Sequence, residues 1–73
     1  MRFATFNVNG IAARLPRLLE WLEESAVDAV GLQEIKCEDD RFPRLEFEAR
    51  GWHVETHGQK GFNGVAILSR HRP

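Results

Sequence analysis

In the stretch Ala29-Val30-Gly31-Leu32-Gln33-Glu34-Ile35-Lys36, four apolar or small residues run directly into a glutamine, a carboxylate and, two residues on, a lysine. An unbroken apolar run this short, bounded by charge, reads as a strand buried on both faces. Ligands of open parallel sheets lie just beyond the carboxyl ends of such strands. Glu34 therefore stands where a site residue would stand. A lone glutamate after an apolar run also simply marks where a strand reaches water. Its meaning depends on what the rest of the chain brings to that point.

Toward the N-terminus, Arg2 to Val8 reads as a first strand, with Phe3, Thr5 and Asn7 on one face and Arg2, Ala4, Phe6 and Val8 on the other. It ends at Asn7-Val8-Asn9-Gly10, where Asn and Gly supply turn chemistry. A helix follows from Arg14 to Ser25, because Leu15, Leu18, Leu19 and Leu22 fall at i, i+3, i+4 and i+7. Proline belongs in a helix's first turn, so Pro16 sets the start near Leu15. Strand, helix and apolar strand make a βαβ unit, expected to cross over right-handed.

Toward the C-terminus, Glu38 to Pro43 is a polar loop, and Pro43 to Arg50 forms a short helix closed by Gly51. Trp52, Val54 and Thr56 alternate with His53, Glu55 and His57, which predicts a strand with one wet face. Val65 to Ser69 is a second continuous apolar strand, joined to it by the loop Gly58-Gln59-Lys60-Gly61-Phe62-Asn63-Gly64. The chain ends at Arg70-His71-Arg72-Pro73, directly after that strand. The fourth strand is thus expected to be a bare sheet edge or to want a partner. The fold class is α/β, a βαβ unit followed by a β-hairpin, and residues 1–73 read as the N-terminal portion of one larger domain, truncated at the C-terminus.

Composition narrows the setting. The 73 residues are 42% hydrophobic and 29% charged, ordinary for a folded chain. A formal charge of −1 gives no basic bulk character of the kind a free-standing nucleic-acid binder shows. The single cysteine, Cys37, excludes an internal disulfide and suits a reducing, cytoplasmic setting. Its acidic neighbours Glu38, Asp39 and Asp40 disfavour a thiolate nucleophile. No apolar run approaches the ~20 residues of a membrane span, and the N-terminus lacks the apolar segment of a secretion signal.

Asn7 and Asn9 after the first strand, with Glu34 and Lys36 after the second, converge if those strands are neighbours. One carboxylate with amide and water oxygens suits Mg²⁺, which keeps much of its water shell. Zinc is not favoured, since Cys37 and the histidines His53, His57 and His71 show no ligand spacing. A glycine-rich loop bearing Lys60 and Phe62 would let a phosphate backbone approach closely and an aromatic ring stack. No full catalytic set is present: there is no paired Asp, no Ser-His-Asp arrangement and no evident general base.

Phe6-Asn7-Val8-Asn9-Gly10, Leu32-Gln33-Glu34-Ile35-Lys36 and Gly61-Phe62-Asn63-Gly64-Val65-Ala66-Ile67-Leu68-Ser69 resemble three successive motifs of the exonuclease III family of AP endonucleases and 3′-exonucleases, within the endonuclease/exonuclease/phosphatase superfamily. The likeness runs nearly end to end and includes His57-Gly58-Gln59-Lys60. It implies a four-layered α/β sandwich, of which this chain would be the N-terminal part. It also implies a Mg²⁺ cofactor, with Mn²⁺ as a substitute, and double-stranded DNA with abasic sites or 3′ ends as the partner of a monomeric enzyme. By position, Glu34 would be the metal-binding glutamate, Asn7 would lie beside metal and scissile phosphate, and Asn9 falls where some relatives carry an acidic residue near the metal. Lys36 would orient Glu34. Lys60, Gly61, Phe62 and Asn63 would meet the DNA backbone. Ala12 stands where the family often has arginine, and Arg14 is the residue that would compensate. The family's catalytic tyrosine, its Asp-and-Asn pair and its Asp-His pair lie downstream of Pro73. Two other readings follow from the same residues: a superfamily phosphatase or phosphodiesterase acting on lipid or inositol phosphates, and a non-catalytic truncated fragment that self-associates. Lys36 and the stretch from Gly61 to Ser69 favour the DNA enzyme.

Overall fold

The apolar run forms a strand, β2 (Ala29–Gln33), which pairs in parallel with β1 (Phe3–Asn7) and antiparallel with β4 (Gly64–Ser69). The far side of β4 carries β3 (His53–Gly58), also antiparallel, so the sheet order is β1-β2-β4-β3. The computed structural model describes residues 2–58 and 64–71. Among the described residues, no helix is long and apolar enough to cross a membrane.

The βαβ unit and the hairpin are as the pattern predicts, but the last strand is not an edge. β4 lies between β2 and β3, and the edges are β1 and β3. The chemistry of the two hairpin strands accounts for this. β3 puts His53, Glu55 and His57 on its outer face, which an edge tolerates, whereas Gly64-Val65-Ala66-Ile67-Leu68-Ser69 has no charged group to place.

The helix also differs from expectation. α1 (Ile11–Glu24) begins before Arg14 and carries Pro16 in its interior. An interior proline costs a helix about 3 kcal/mol, so something must hold the turn that precedes it. Ile11 does: its side chain is buried, and its N–H donates to the Ile35 carbonyl at 2.9 Å. The neighbouring Gly10 N–H donates to the Glu34 carbonyl, also at 2.9 Å. Ala12 and Ala13 add good helix propensity.

α1 covers one face of the sheet. Leu18 and Leu22 pack in a single core with Val30 and Leu32 of β2, Ala66 and Leu68 of β4, and Val54 of β3. A 3₁₀ turn (Asp39–Arg41) and the short α2 (Arg44–Glu48) close the far side, where Phe47 stacks on Phe42 with ring centres 5.5 Å apart. The expected burial of both apolar strands on both faces is met by β2 but not by β4. Phe3, Val65 and Ile67 on the opposite face are 64%, 47% and 51% exposed. Gly31 is shielded there because the side chains of Phe3, Thr5 and Gln33 close over it.

Candidate active site

The parallel register sets Asn7 of β1 beside Gln33 of β2, so both strands finish at the same level. The chains then stay bonded as they leave the sheet: Val8 N–H donates to the Gln33 carbonyl at 3.0 Å, and the Gly10 and Ile11 bonds follow. Both exits need unusual backbone. Asn9, Glu34 and Lys36 adopt left-handed conformations, with φ of 47°, 52° and 56°. Asparagine enters this region readily, but glutamate and lysine do so at a cost of roughly 1–2 kcal/mol each. Gly10 has φ 100°, which its lack of a Cβ permits, and the Lys36 stem passes above it.

These bends bring the four expected side chains together. Asn7 Nδ2 donates to Glu34 Oε2, and Asn7 Oδ1 accepts the Asn9 backbone N–H at 3.1 Å. Lys36 Nζ donates to Asn9 Oδ1. Glu34 and Lys36 are half-buried; Asn7 and Asn9 are exposed. Both amide oxygens thus already accept one hydrogen bond and keep a second lone pair. Glu34 Oε1 is the site oxygen that accepts no hydrogen bond from the described residues.

This donor set fits a hydrated hard cation, with one carboxylate oxygen not engaged by Asn7 and amide oxygens beside it. It does not fit zinc. Among the described residues, no three His, Cys, Asp or Glu side chains lie close enough to hold a metal ion.

Arg14 stands apart from the four. It lines a cavity of about 260 Å³ between β1 and α1 whose wall also includes Asn7, Arg17, Leu18 and the edge-to-face pair Phe6–Trp21. Arg17 was not among the expected site residues, although its spacing of i, i+3 from Arg14 puts both guanidinium groups on one helix face. The expected DNA contacts Lys60, Gly61, Phe62 and Asn63 lie outside the described residues. Gly64, the first residue of β4, is described: its carbonyl accepts the Ile35 N–H at 3.2 Å, so β4 starts beside the site.

The sequence model of the endonuclease/exonuclease/phosphatase family matches residues 4–73. The chain belongs to that family. Among curated relatives, it is 47% identical over 73 residues to exodeoxyribonuclease III of Haemophilus influenzae. It is 30% identical over 77 aligned positions to an exodeoxyribonuclease of Bacillus subtilis. In both comparisons all of this chain is aligned, but it spans only 27% and 29% of the relatives' own length. Among solved structures, it superposes on an AP endonuclease from Archaeoglobus fulgidus with a TM-score of 0.94 at 46% identity, covering 100% of this chain and 29% of that one. A Neisseria 3′ phosphatase bound to a product DNA hairpin gives a TM-score of 0.96 at 42% identity, covering 100% and 28%. The α/β fold with its four-stranded sheet is therefore the fold of these family members over the matched region.

Proposed function

We propose that the chain supplies the cation-holding carboxylate and part of the phosphate-facing surface of an exodeoxyribonuclease III-type enzyme. That enzyme hydrolyses phosphodiesters of double-stranded DNA at abasic sites and from 3′ ends, as a monomer. The observation that carries this is the joining of Asn7, Asn9, Glu34 and Lys36 by hydrogen bonds at the carboxyl end of the parallel β1–β2 pair. The nuclease names of its relatives support the substrate class.

Glu34 Oε1 would hold Mg²⁺, with Mn²⁺ as a substitute; when bound, the ion would neutralise charge building on the phosphate. Asn7 keeps the Glu34 carboxylate aimed by donating to its other oxygen. Lys36 holds Asn9 in place and adds positive charge beside an anionic substrate. Arg14 and Arg17 extend that positive surface along α1. The base that takes the proton from attacking water is not evident among these residues. It would come from the part of the relatives' length that this chain does not span.

A cation titration of cleavage on abasic-site duplex, using the full-length protein that carries residues 1–73, tests the assignment. Glu34→Gln should lose about 10²–10³ in rate, the cost typical of removing one charge-stabilising group. Glu34→Asp should be partly restored by added Mg²⁺. Three superimposable curves would refute the metal assignment. The 73-residue chain alone should show no cleavage above background.

A further inference from the structure

Ile35 lies between Glu34 and Lys36, the two site residues whose backbones are held left-handed with φ 52° and 56°. Nothing local favours that conformation in a glutamate or a lysine. It must be imposed by surrounding structure, and the bonds that impose it converge on the residue between them. The Ile35 side chain is 0% exposed, within the core. Its N–H donates to the Gly64 carbonyl at 3.2 Å, and its own carbonyl accepts the Ile11 N–H at 2.9 Å. One residue therefore ties together the exit of β2, the start of α1 and the start of β4.

We propose that Ile35 is a positioning residue for the Glu34 carboxylate, and that its bond to Gly64 couples the start of β4 to the cation site. This rests on the reading of Glu34 as a cation ligand. With Ile35 seated, neither flanking residue can relax toward extended backbone, and Glu34 stays within reach of Asn7 Nδ2. With Ile35 loosened, φ at Glu34 is free to change, and the carboxylate swings off its partner. Gly64 contributes from the other side: it is buried with φ 110°, a conformation a side chain would strain, so its carbonyl keeps its place only with glycine there. A displacement of Gly64 would reach Glu34 through a single hydrogen bond.

The test measures Mn²⁺ binding by paramagnetic resonance in the full-length protein, with no substrate present. Five variants are compared with wild type: Ile35→Ala, Ile35→Val, Gly64→Ala, Val54→Ala and Glu34→Gln. Val54 is buried in the same core but on β3, so it controls for loss of packing alone. Melting temperature and amide exchange at residues 34 and 35 are recorded alongside. Ile35→Ala and Gly64→Ala should weaken Mn²⁺ binding by about tenfold, the low end of what lost outer-shell support costs a metal site. Ile35→Val should weaken it by less, and both amides should exchange faster. Val54→Ala should melt lower yet bind Mn²⁺ as wild type does. Ile35→Val keeps the backbone bonds and loses one methylene, so it decides the question if the alanine variants do not fold. Unchanged Mn²⁺ affinity in the Ile35 variants, or equal weakening in Val54→Ala, would overturn the proposal. Glu34→Gln separates the two ideas. If it binds Mn²⁺ as wild type does, the cation assignment itself fails; if it alone weakens binding, only the role of Ile35 falls.

Discussion

Replacing Glu34 by alanine and by glycine should give two equally inactive proteins of different stability, with the order opposite to the usual one. At most positions Gly→Ala stabilises by about 0.4–1 kcal/mol, because alanine has less freedom to lose on folding. At Glu34, φ is 52°. Alanine there carries a left-handed penalty of roughly 1–2 kcal/mol that glycine does not. Taking the middle of each range, glycine's extra backbone entropy of roughly 0.5–1 kcal/mol leaves glycine the more stable by about 0.75 kcal/mol. Neither variant can accept the Asn7 Nδ2 hydrogen bond, so that loss cancels between them. In a protein of the relatives' size this gap corresponds to a melting difference of about 1–4 °C. Thermal unfolding of both full-length variants, with cleavage of abasic-site DNA in parallel, measures it. If Glu34→Ala melts above Glu34→Gly, the left-handed conformation at the site is wrong, and the positioning argument for Ile35 falls with it.

Three further outcomes are expected. The Arg2 backbone N–H, 2.7 Å from Asp28 Oδ2, holds the Asp28 carboxyl below its ordinary value of 3.8, and the Arg70 guanidinium acts in the same direction. Its stabilising contribution is therefore full above that value and is lost as pH falls through the lowered one. Asp28→Asn should lower the urea midpoint at neutral pH, and the gap from wild type should close in strong acid. Arg70 bonds the Leu22 and Val27 carbonyls at 3.3 and 3.2 Å and lies 4.1 Å over the Trp52 ring. Arg70→Ala should cost about 1–2 kcal/mol in chemical denaturation, from the lost cation–π contact and the lost bonds to the Leu22 and Val27 carbonyls. The 73-residue chain alone should self-associate in sedimentation through the exposed face of Phe3, Val65 and Ile67. Threonine at both Val65 and Ile67 should reduce the association, and a monomer at all concentrations would contradict it.

Hydrophobic period and turn residues made the strands, the helix and the hairpin legible, because those signals are local. The start of α1 was not, since Pro16 argues for a later start by a local rule. The residue that overrides it, Ile11, acts through burial and a bond to Ile35, a contact between distant parts of the chain. The interior place of β4 was hidden for a similar reason: nothing within a hairpin says which of its strands will meet β2. At the site, Asn7, Asn9, Glu34 and Lys36 were readable as strand-end residues of suitable chemistry. The left-handed turns that aim them were not, because glutamate and lysine carry no preference for such a turn. Arg17 carries no local signal of a site, and only the fold puts it in one cavity wall with Asn7 and Trp21.

The central place of β4 bears on how the chain assembles. The strand that comes last in sequence is the one that bridges β2 to β3, with Val30 opposite Leu68 on one side and Val54 opposite the same Leu68 on the other. Until Gly64 to Ser69 have left the ribosome, the β1–β2 pair and the β3 strand have no shared sheet to join. Pairing across so long a stretch carries a large closure cost that local contacts do not offset in advance. Sheet closure and the fastening of Ile35 to Gly64 then become one event. The Glu34 carboxylate is set in place by the same step that completes the sheet.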